Sequence, residues 1–327
     1  MSITENLDKT IIVVIPCFKA KQQVLNVLAN IPAVVSEIIC VDDACPEGTG
    51  KYIEEQCRDS RISVIYHAKN LGVGGAMVSG YRAALEKNAG YVVKIDADGQ
   101  MDPGIISRFL NPLIRGEADY AKGNRFYKLE NLATMPAIRV IGNAALSFMS
   151  KFSTGYWRIF DPNNGYTAIH ADILKLIPLA KISHGYFFES DMLFRLNTLR
   201  AVVIDIPMQS RYENEGSSLS IFKSVNEFAL KHLLNFAKRI IYNYFLRDFH
   251  LASLEWLLGP ALLIYGIVFG LVKWNESIAM GTSATAGTVM LAALPVIVGL
   301  QLLLSALNFD IDNRPSIPLH RLMENHK

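Results

Sequence analysis

The chain has little cysteine, almost no net charge and none of several common site spacings, and each shortage removes a class of function. Its 327 residues hold four cysteines, Cys17, Cys40, Cys45 and Cys57, all within the first 60 positions and with no CxxC pair. That argues against a zinc site and for reduced cytosolic thiols. Thirty-two basic residues against 30 acidic ones leave a net charge of +2, so no global field marks the protein for nucleic acid. The first apolar run, Ile11 to Ile15, is short, ends at Pro16 and follows residues of both charges. It reads as a strand and not as a signal peptide. The acidic stretch KIDADGQMDP (Lys94 to Pro103) lacks the sixth-position Gly and twelfth-position Glu of a helix-loop-helix calcium loop, having Met101 and Ser107 there. NLGVGG, from Asn70, lacks the GxGxxG order of a dinucleotide loop and opens a helix instead.

What is present is 51% apolar residues, unevenly placed. Disorder is excluded. Leu251 to Val272 and Gly287 to Leu307 are each about 20 residues long and nearly free of charge, the length that crosses a hydrocarbon core. They read as two transmembrane helices, with two buried helices of a soluble domain as the alternative. Lys223, Lys231, Lys238, Arg239 and Arg247, interleaved with Phe and Leu, precede the first span as an amphipathic interfacial segment. Basic flanks prefer the cytoplasm, and two spans return the chain to the side it left, so the large N-terminal part and the tail are expected to be cytosolic. Gly266 and Gly270 form a GxxxG that permits close helix approach, and with it a homo-oligomer through the spans.

The first 100 residues alternate in type. Strands are expected at Ile11 to Ile15, Glu37 to Val41, Ile62 to Tyr66 and Tyr91 to Ile95, with helices at Gln22 to Asn30, Gly50 to Cys57 and Gly75 to Glu86. This is the pattern of a mainly parallel sheet covered by helices, which binds ligands at the carboxyl ends of its strands. Three of those ends are polar: Pro16-Cys17-Phe18, Asp42-Asp43 and Asp96-Ala97-Asp98. Each could be a turn. Acidic groups at corresponding ends of neighbouring strands also suit a metal site, and the local pattern leaves both readings open.

The segments VVIPCF, VDDACPEGTG, NLGVGGAMVSGYRAAL, KIDADGQ, KGNRF, DPNNGYTAI, FFESDML and RYENEGSS, in that order and followed by two apolar spans, resemble family 2 glycosyltransferases of the GT-A fold. The similarity is to the membrane-anchored branch that includes dolichyl-phosphate mannosyltransferase and bactoprenyl-phosphate glycosyltransferases, and it covers nearly the whole chain. The resemblance implies an α/β, Rossmann-like nucleotide-sugar-binding domain over residues 1–220. Amphipathic juxtamembrane helices over 221–250, two spans at about 251–273 and 287–307, and a cytosolic tail at 311–327 would follow. It also implies a two-pass protein of a bacterial inner or plasma membrane.

By the same resemblance, Pro16 and Phe18 flank the base of a UDP- or GDP-linked sugar, Asp42 or Asp43 meets the base or ribose, and Gly72 lies near the nucleotide. Asp96 and Asp98, with Gln100, would hold Mg²⁺ or Mn²⁺ on the donor diphosphate, where a hard cation stabilises the leaving anion. Two departures stand out. Lys19-Ala20 replaces the usual acidic contact after the aromatic, and Gly216-Ser217-Ser218-Leu219 removes a diphosphate-facing lysine. Arg211 is the substitute, since a guanidinium matches phosphate oxygens; without the family it is a loop arginine. The acceptor expected is polyprenyl phosphate, undecaprenyl or dolichyl, attacking the anomeric carbon with inversion. A phosphate acceptor is already ionised and needs cations more than a base, and Arg125, Arg139 and Lys151 supply them, with Arg139 foremost. Arg139 and Lys151 could equally solvate a helix face. Asp161 matches an acceptor-side aspartate or initiates an Asp-Pro turn, and Glu189 or Asp191 is the candidate base. The alternatives are a lipid-linked saccharide acceptor in O-antigen, capsule or exopolysaccharide assembly, and a non-catalytic nucleotide-binding membrane scaffold. QxxRW is absent, which disfavours a processive synthase.

Overall fold

The computed structural model describes residues 9–127, 137–209 and 221–324. The four expected strands appear as β1 (Ile11–Cys17), β2 (Glu37–Asp42), β3 (Ile62–Tyr66) and β4 (Tyr91–Lys94). The helices between them are α1 (Val24–Ala29), α2 (Thr49–Gln56) and α3 (Gly72–Glu86). The chain continues through α4 (Ile106–Ile114), β5 (Tyr120–Asn124), α5 (Ala137–Thr154), β6 (Thr167–His170), α6 (Ala171–Leu176), α7 (Phe188–Leu199) and β7 (Val203–Pro207). The seven strands form one sheet in the order β3-β2-β1-β4-β6-β5-β7, with only β6 antiparallel to its neighbours.

Alternation along β1 builds two cores. Ile11, Val13 and Ile15 point to the face covered by Phe109, Leu110 and Leu113 of α4, while Ile12 and Val14 meet Ala76, Met77 and Tyr81 of α3. Both faces are covered, so the central strands read as continuous β-branched runs instead of an alternating pattern. Because β6 runs against β4 and β5, the DPNNG loop that enters β6 lies on the rim where the parallel strands end. The sheet topology thereby brings DPNNG to the same rim as Asp96 and Asp98.

Two compact units divide the chain, Met1–Phe236 with Pro315–Lys327, and Ala237–Arg314. The C-terminal segment thus belongs with the sheet. Its short helix α11 (Leu319–Glu324) is held by Asp119, a fully buried carboxylate that accepts from the backbone N–H of Leu319 at 2.8 Å and of His320 at 3.0 Å. Helix α8 (Ile221–Ile241) crosses the division between the units. Within the first unit it is inside out: Leu230, Leu233 and Leu234 are exposed, whereas His232 and Asn235 are buried. His232 Nδ1 lies 2.7 Å from Ser153 Oγ, and burial lowers its pKa to about 4.

The second unit carries α9 (Leu251–Met280) and α10 (Ala286–Asp312). Their most apolar windows have mean hydropathy 1.8 and 2.3 and are only 17% and 11% buried. A core helix would be covered, so these faces are consistent with membrane anchoring. The two helices pack closely through glycine. A Cβ at Gly259 would sit 3.2 Å from the Gly299 carbonyl oxygen, and one at Gly266 would sit 2.7 Å from that of Ala292. Gly266 of the GxxxG therefore serves the contact between the two apolar helices of one chain.

Candidate active site

The carboxyl ends of the parallel strands and the amino end of β6 share one rim, and a buried ammonium forms its floor. Lys94, the last residue of β4, is 1% exposed and lies 2.6 Å from Asp96 Oδ1 and 3.2 Å from Glu189 Oε1. Burial alone would lower its pKa, but Asp96 and Glu189 outweigh that effect and raise it above the ordinary lysine value. Lys94 is therefore a charged link between the DxD and the first turn of α7.

Asp96 gives one oxygen to Lys94 and keeps 29% of its side chain exposed at the rim. Asp98 Oδ1 accepts the Gln100 backbone N–H at 3.0 Å. The donor set is thus two partly exposed carboxylates with Gln100 adjacent. No group of three or more His, Cys, Asp or Glu suited to a metal occurs among the described residues. Two carboxylates with room for diphosphate oxygens and water fit Mg²⁺ or Mn²⁺ and do not fit a closed structural zinc site. Gly165, in the DPNNG loop, lets the backbone pack directly on this pair: a Cβ there would overlap both the Asp96 carboxylate and the Lys94 ammonium.

Of the residues expected at the nucleotide, Phe18 is 44% exposed and Pro16 is half-buried. Asp42 and Asp43 are buried and held by the protein itself. Asp42 accepts from the N–H of Cys45 (2.7 Å) and Gly50 (2.6 Å). Asp43 accepts from those of Leu71 and Gly72, both at 2.8 Å, and lies 2.7 Å from His67 Nδ1. Both carboxylates thereby hold the loops that follow β2 and β3. Gly72 has φ +81, and its N–H serves Asp43, while the Gly74 N–H serves the His184 carbonyl at 2.7 Å. The NLGVGG glycines let the start of α3 approach residues 183–185, where side chains would collide.

Of the residues expected near the acceptor, Arg125 and Asp161 are brought together in a two-point pair, Nε to Oδ2 at 2.7 Å and Nη2 to Oδ1 at 2.9 Å. Asp191 is turned to structural partners, accepting from Ser183 N–H at 2.9 Å and pairing with Arg195 at 3.0 Å. Glu189, by contrast, faces Lys94 on the rim. Lys151 lies 5.5 Å from the centre of the Phe160 ring, and burial lowers its pKa. Arg139 falls in the first turn of α5, its side chain outside those described. Arg211 and the RYENEGSS segment lie outside the described residues.

Three residues of the site escape sequence reasoning. Lys94 is one. Lys122 of β5 is the second: it and Lys94 both pair in register with Thr167, so two buried lysines flank one threonine. Lys122 donates to the Asn164 carbonyl and so holds the DPNNG loop. Burial lowers its pKa to about 8, with Glu189 and Asp161 resisting. Asp205, in register with Lys122, is the third. Its Oδ2 accepts from Asn124 Nδ2 (2.8 Å) and Phe160 N–H (3.1 Å), its Oδ1 is buried without a hydrogen bond, and burial raises its pKa to about 6. The available signal was a lysine inside a strand that pattern marks as buried, last in YVVK and central in YAKGN.

The chain is 28% identical over 219 residues to the UDP-N-acetylglucosamine–dolichyl-phosphate N-acetylglucosaminyltransferase of Methanococcus voltae, covering 63% of this chain and 87% of that one. It is 32% identical over 175 residues to the undecaprenyl-phosphate mannosyltransferase of Micrococcus luteus, covering 53% and 71%. Against the polyprenol monophosphomannose synthase of Mycolicibacterium smegmatis the identity is 26%, with 67% and 84% covered. Among solved structures, glucosyl-3-phosphoglycerate synthase from Mycobacterium tuberculosis, in complex with Mn²⁺, UDP and glucosyl-3-phosphoglycerate, superposes with a TM-score of 0.53. It does so at 18% identity, over 71% of this chain and 80% of that one, which speaks for the fold alone. The pattern of glycosyl transferase family 2 matches residues 12–177, half of the sequence, and the chain belongs to that family.

Proposed function

We propose that this glycosyltransferase moves a sugar from a nucleotide-linked donor to the phosphate of a polyprenyl lipid at the cytosolic membrane surface, with a divalent cation at Asp96 and Asp98. One observation carries the choice of acceptor. Each carboxylate that the sequence offered as base or acceptor contact is already engaged by a cation: Glu189 by Lys94, Asp161 by Arg125 and Asp191 by Arg195. A hydroxyl acceptor needs a base within reach of its proton. A phosphomonoester, with a second pKa near ~6, arrives ionised and needs none. The names of the three relatives given above, each a transferase or synthase of a polyprenyl-phosphate sugar, support the same acceptor. So do the two apolar helices and the exposed leucines of α8.

An acceptor phosphate oxygen forms the new bond to the anomeric carbon as the bond to the diphosphate breaks, and the electron pair leaves with the nucleoside diphosphate. Asp96 and Asp98 hold the cation, which when bound neutralises charge on that leaving group. Lys94 fixes the Asp96 carboxylate. Arg125 and Lys151 present positive charge on the acceptor side, with Arg139 proposed beside them. The docking of α11 within the first unit supports one cytosolic side for both the catalytic unit and the C-terminus.

The test is incubation of the full chain, in membranes, with labelled UDP- and GDP-sugars and plain polyprenyl phosphate. A labelled, mild-acid-labile lipid that disappears with Asp96→Ala and with Asp98→Ala is expected. Label appearing only on a lipid-linked saccharide would overturn the phosphate acceptor.

A further inference from the structure

Asp205, central in β7, ties together the two segments that carry Arg125 and Asp161. One oxygen, Oδ2, accepts from Asn124 Nδ2 at 2.8 Å and from the Phe160 backbone N–H at 3.1 Å. Those donors immediately precede Arg125 and Asp161, which form their own two-point pair. The other oxygen, Oδ1, is buried and makes no hydrogen bond. A carboxylate and a neutral carboxyl serve this tie alike, because the neutral group keeps Oδ2 as acceptor and carries its proton on Oδ1. What separates the two forms is charge.

That charge sits among the groups expected to meet the acceptor. Lys122, in register on β5, Lys151 on α5 and the Asp161 carboxylate ahead of β6 all act on Asp205 electrostatically, Asp161 being itself paired with Arg125. The Lys151 ammonium lies 5.5 Å from the centre of the Phe160 ring, and the N–H of that same Phe160 is held by Asp205. Burial has raised the Asp205 pKa to about 6, so both forms are within reach near neutral pH. The ionised form offsets a cation that a phosphate acceptor needs. An arriving phosphomonoester carries nearly two negative charges, and its repulsion favours the neutral form.

We propose that Asp205 is a positioning residue that also sets the charge of the acceptor side, taking up a proton as the acceptor phosphate binds and losing it once that phosphate has become a diester. This rests on the phosphate-acceptor reading above. The proton comes from solvent and returns to it, so only the O–H bond of Asp205 forms and breaks. While the dianion is bound, the neutral carboxyl leaves the site one unit more positive. The diester carries one negative charge fewer and holds the proton less strongly, so ionisation of Asp205 favours its release.

The experiment measures transfer from saturating UDP- or GDP-sugar to polyprenyl phosphate by the full chain in nanodiscs between pH 5.5 and 8. Wild type is compared with Asp205→Asn, which keeps an acceptor oxygen for Asn124 and Phe160 and imitates the neutral form, and with Asp205→Ala, which loses the tie. The KM for polyprenyl phosphate of wild type and of the Asn variant should agree near pH 5.5. By pH 8 that of wild type should be roughly tenfold higher, the size of a one-unit rise in the Asp205 pKa on binding. The Ala variant should lose kcat at every pH, and Asn should restore it in part at low pH. Calorimetric titration with polyprenyl phosphate at pH 7, in two buffers of different ionisation enthalpy, should show more protons taken up by wild type than by the Asn variant. Transfer with a KM ratio that is flat across pH, or equal proton uptake by the two proteins, overturns this inference alone. No labelled polyprenyl phosphate from wild type at any pH with any donor overturns the acceptor reading, and this inference with it.

Discussion

Replacing Lys94 by Met tests whether a buried ammonium organises the donor rim. The side chain is 1% exposed and pairs with Asp96 at 2.6 Å and Glu189 at 3.2 Å. Met keeps the volume and removes the charge, leaving two carboxylates facing each other. Breaking a buried pair from one side costs about 3–5 kcal/mol. Because Asp96 is 29% exposed and water can recover part of its solvation, about 2–3 kcal/mol is the expected loss. For a unit of this size that corresponds to a Tm lower by about 5–10 °C. Mn²⁺ with nucleotide should recover more of the Tm in the variant than in wild type, since a cation at Asp96 replaces the missing charge. Adding Glu189→Gln should also recover part of it, because one of the two orphaned carboxylates is removed. The assay is thermal unfolding of the full chain in detergent, with and without Mn²⁺ and UDP, on wild type, both single variants and the double variant. Additive effects of Lys94→Met and Glu189→Gln, within about 0.5 kcal/mol, would refute the coupling through Lys94.

Gly165→Ala places a methyl group against the Asp96 carboxylate and Lys94 ammonium, so calorimetric titration with Mn²⁺ and UDP should show nucleotide binding lost while the far-UV spectrum is kept. Asp205→Asn should stabilise the protein at neutral pH. Its folded pKa, raised to about 6 from 3.8, means that ionisation opposes folding: stability falls as pH rises from about 4 to about 6 and is level above. The gain should therefore approach about 2–3 kcal/mol at pH 7 and vanish near pH 4; equal gains at both values would contradict it. His232, lowered to about 4, acts in the opposite sense. Its contribution is present above about pH 6.5 and is lost as pH falls towards 4, so His232→Gln should flatten the acid limb of a Tm-against-pH curve. In the spans, Gly299→Leu should separate α9 from α10, because even a Cβ there would lie 2.7 Å from the Leu263 nitrogen. Cross-linking of cysteines introduced on facing turns should then fail.

The amino-acid sequence by itself determined the features that depend on local pattern. The β-branched runs from Ile11, Glu37, Ile62 and Tyr91 are strands because alternate residues fill two cores, and the intervening amphipathic segments are helices for the same reason. Length and lack of charge marked α9 and α10. The position of Asp96 and Asp98 just past a strand end is enough to place them on the rim where the parallel strands end. Tertiary structure alone decided which groups meet. Glu189 reaches Lys94 across 95 residues, and Asp191, two positions on, turns instead to Ser183 and Arg195. Successive positions on a helix point about 100° apart, so only the packing of α7 could choose between them. Asp42 and Asp43 looked alike as ligand contacts, yet their oxygens hold the backbone of Cys45, Gly50, Leu71 and Gly72. The return of α11 to Asp119 spans 200 residues and has no local signature. Period and propensity are written along the chain, whereas partners for buried charge are set by which strands and helices become neighbours.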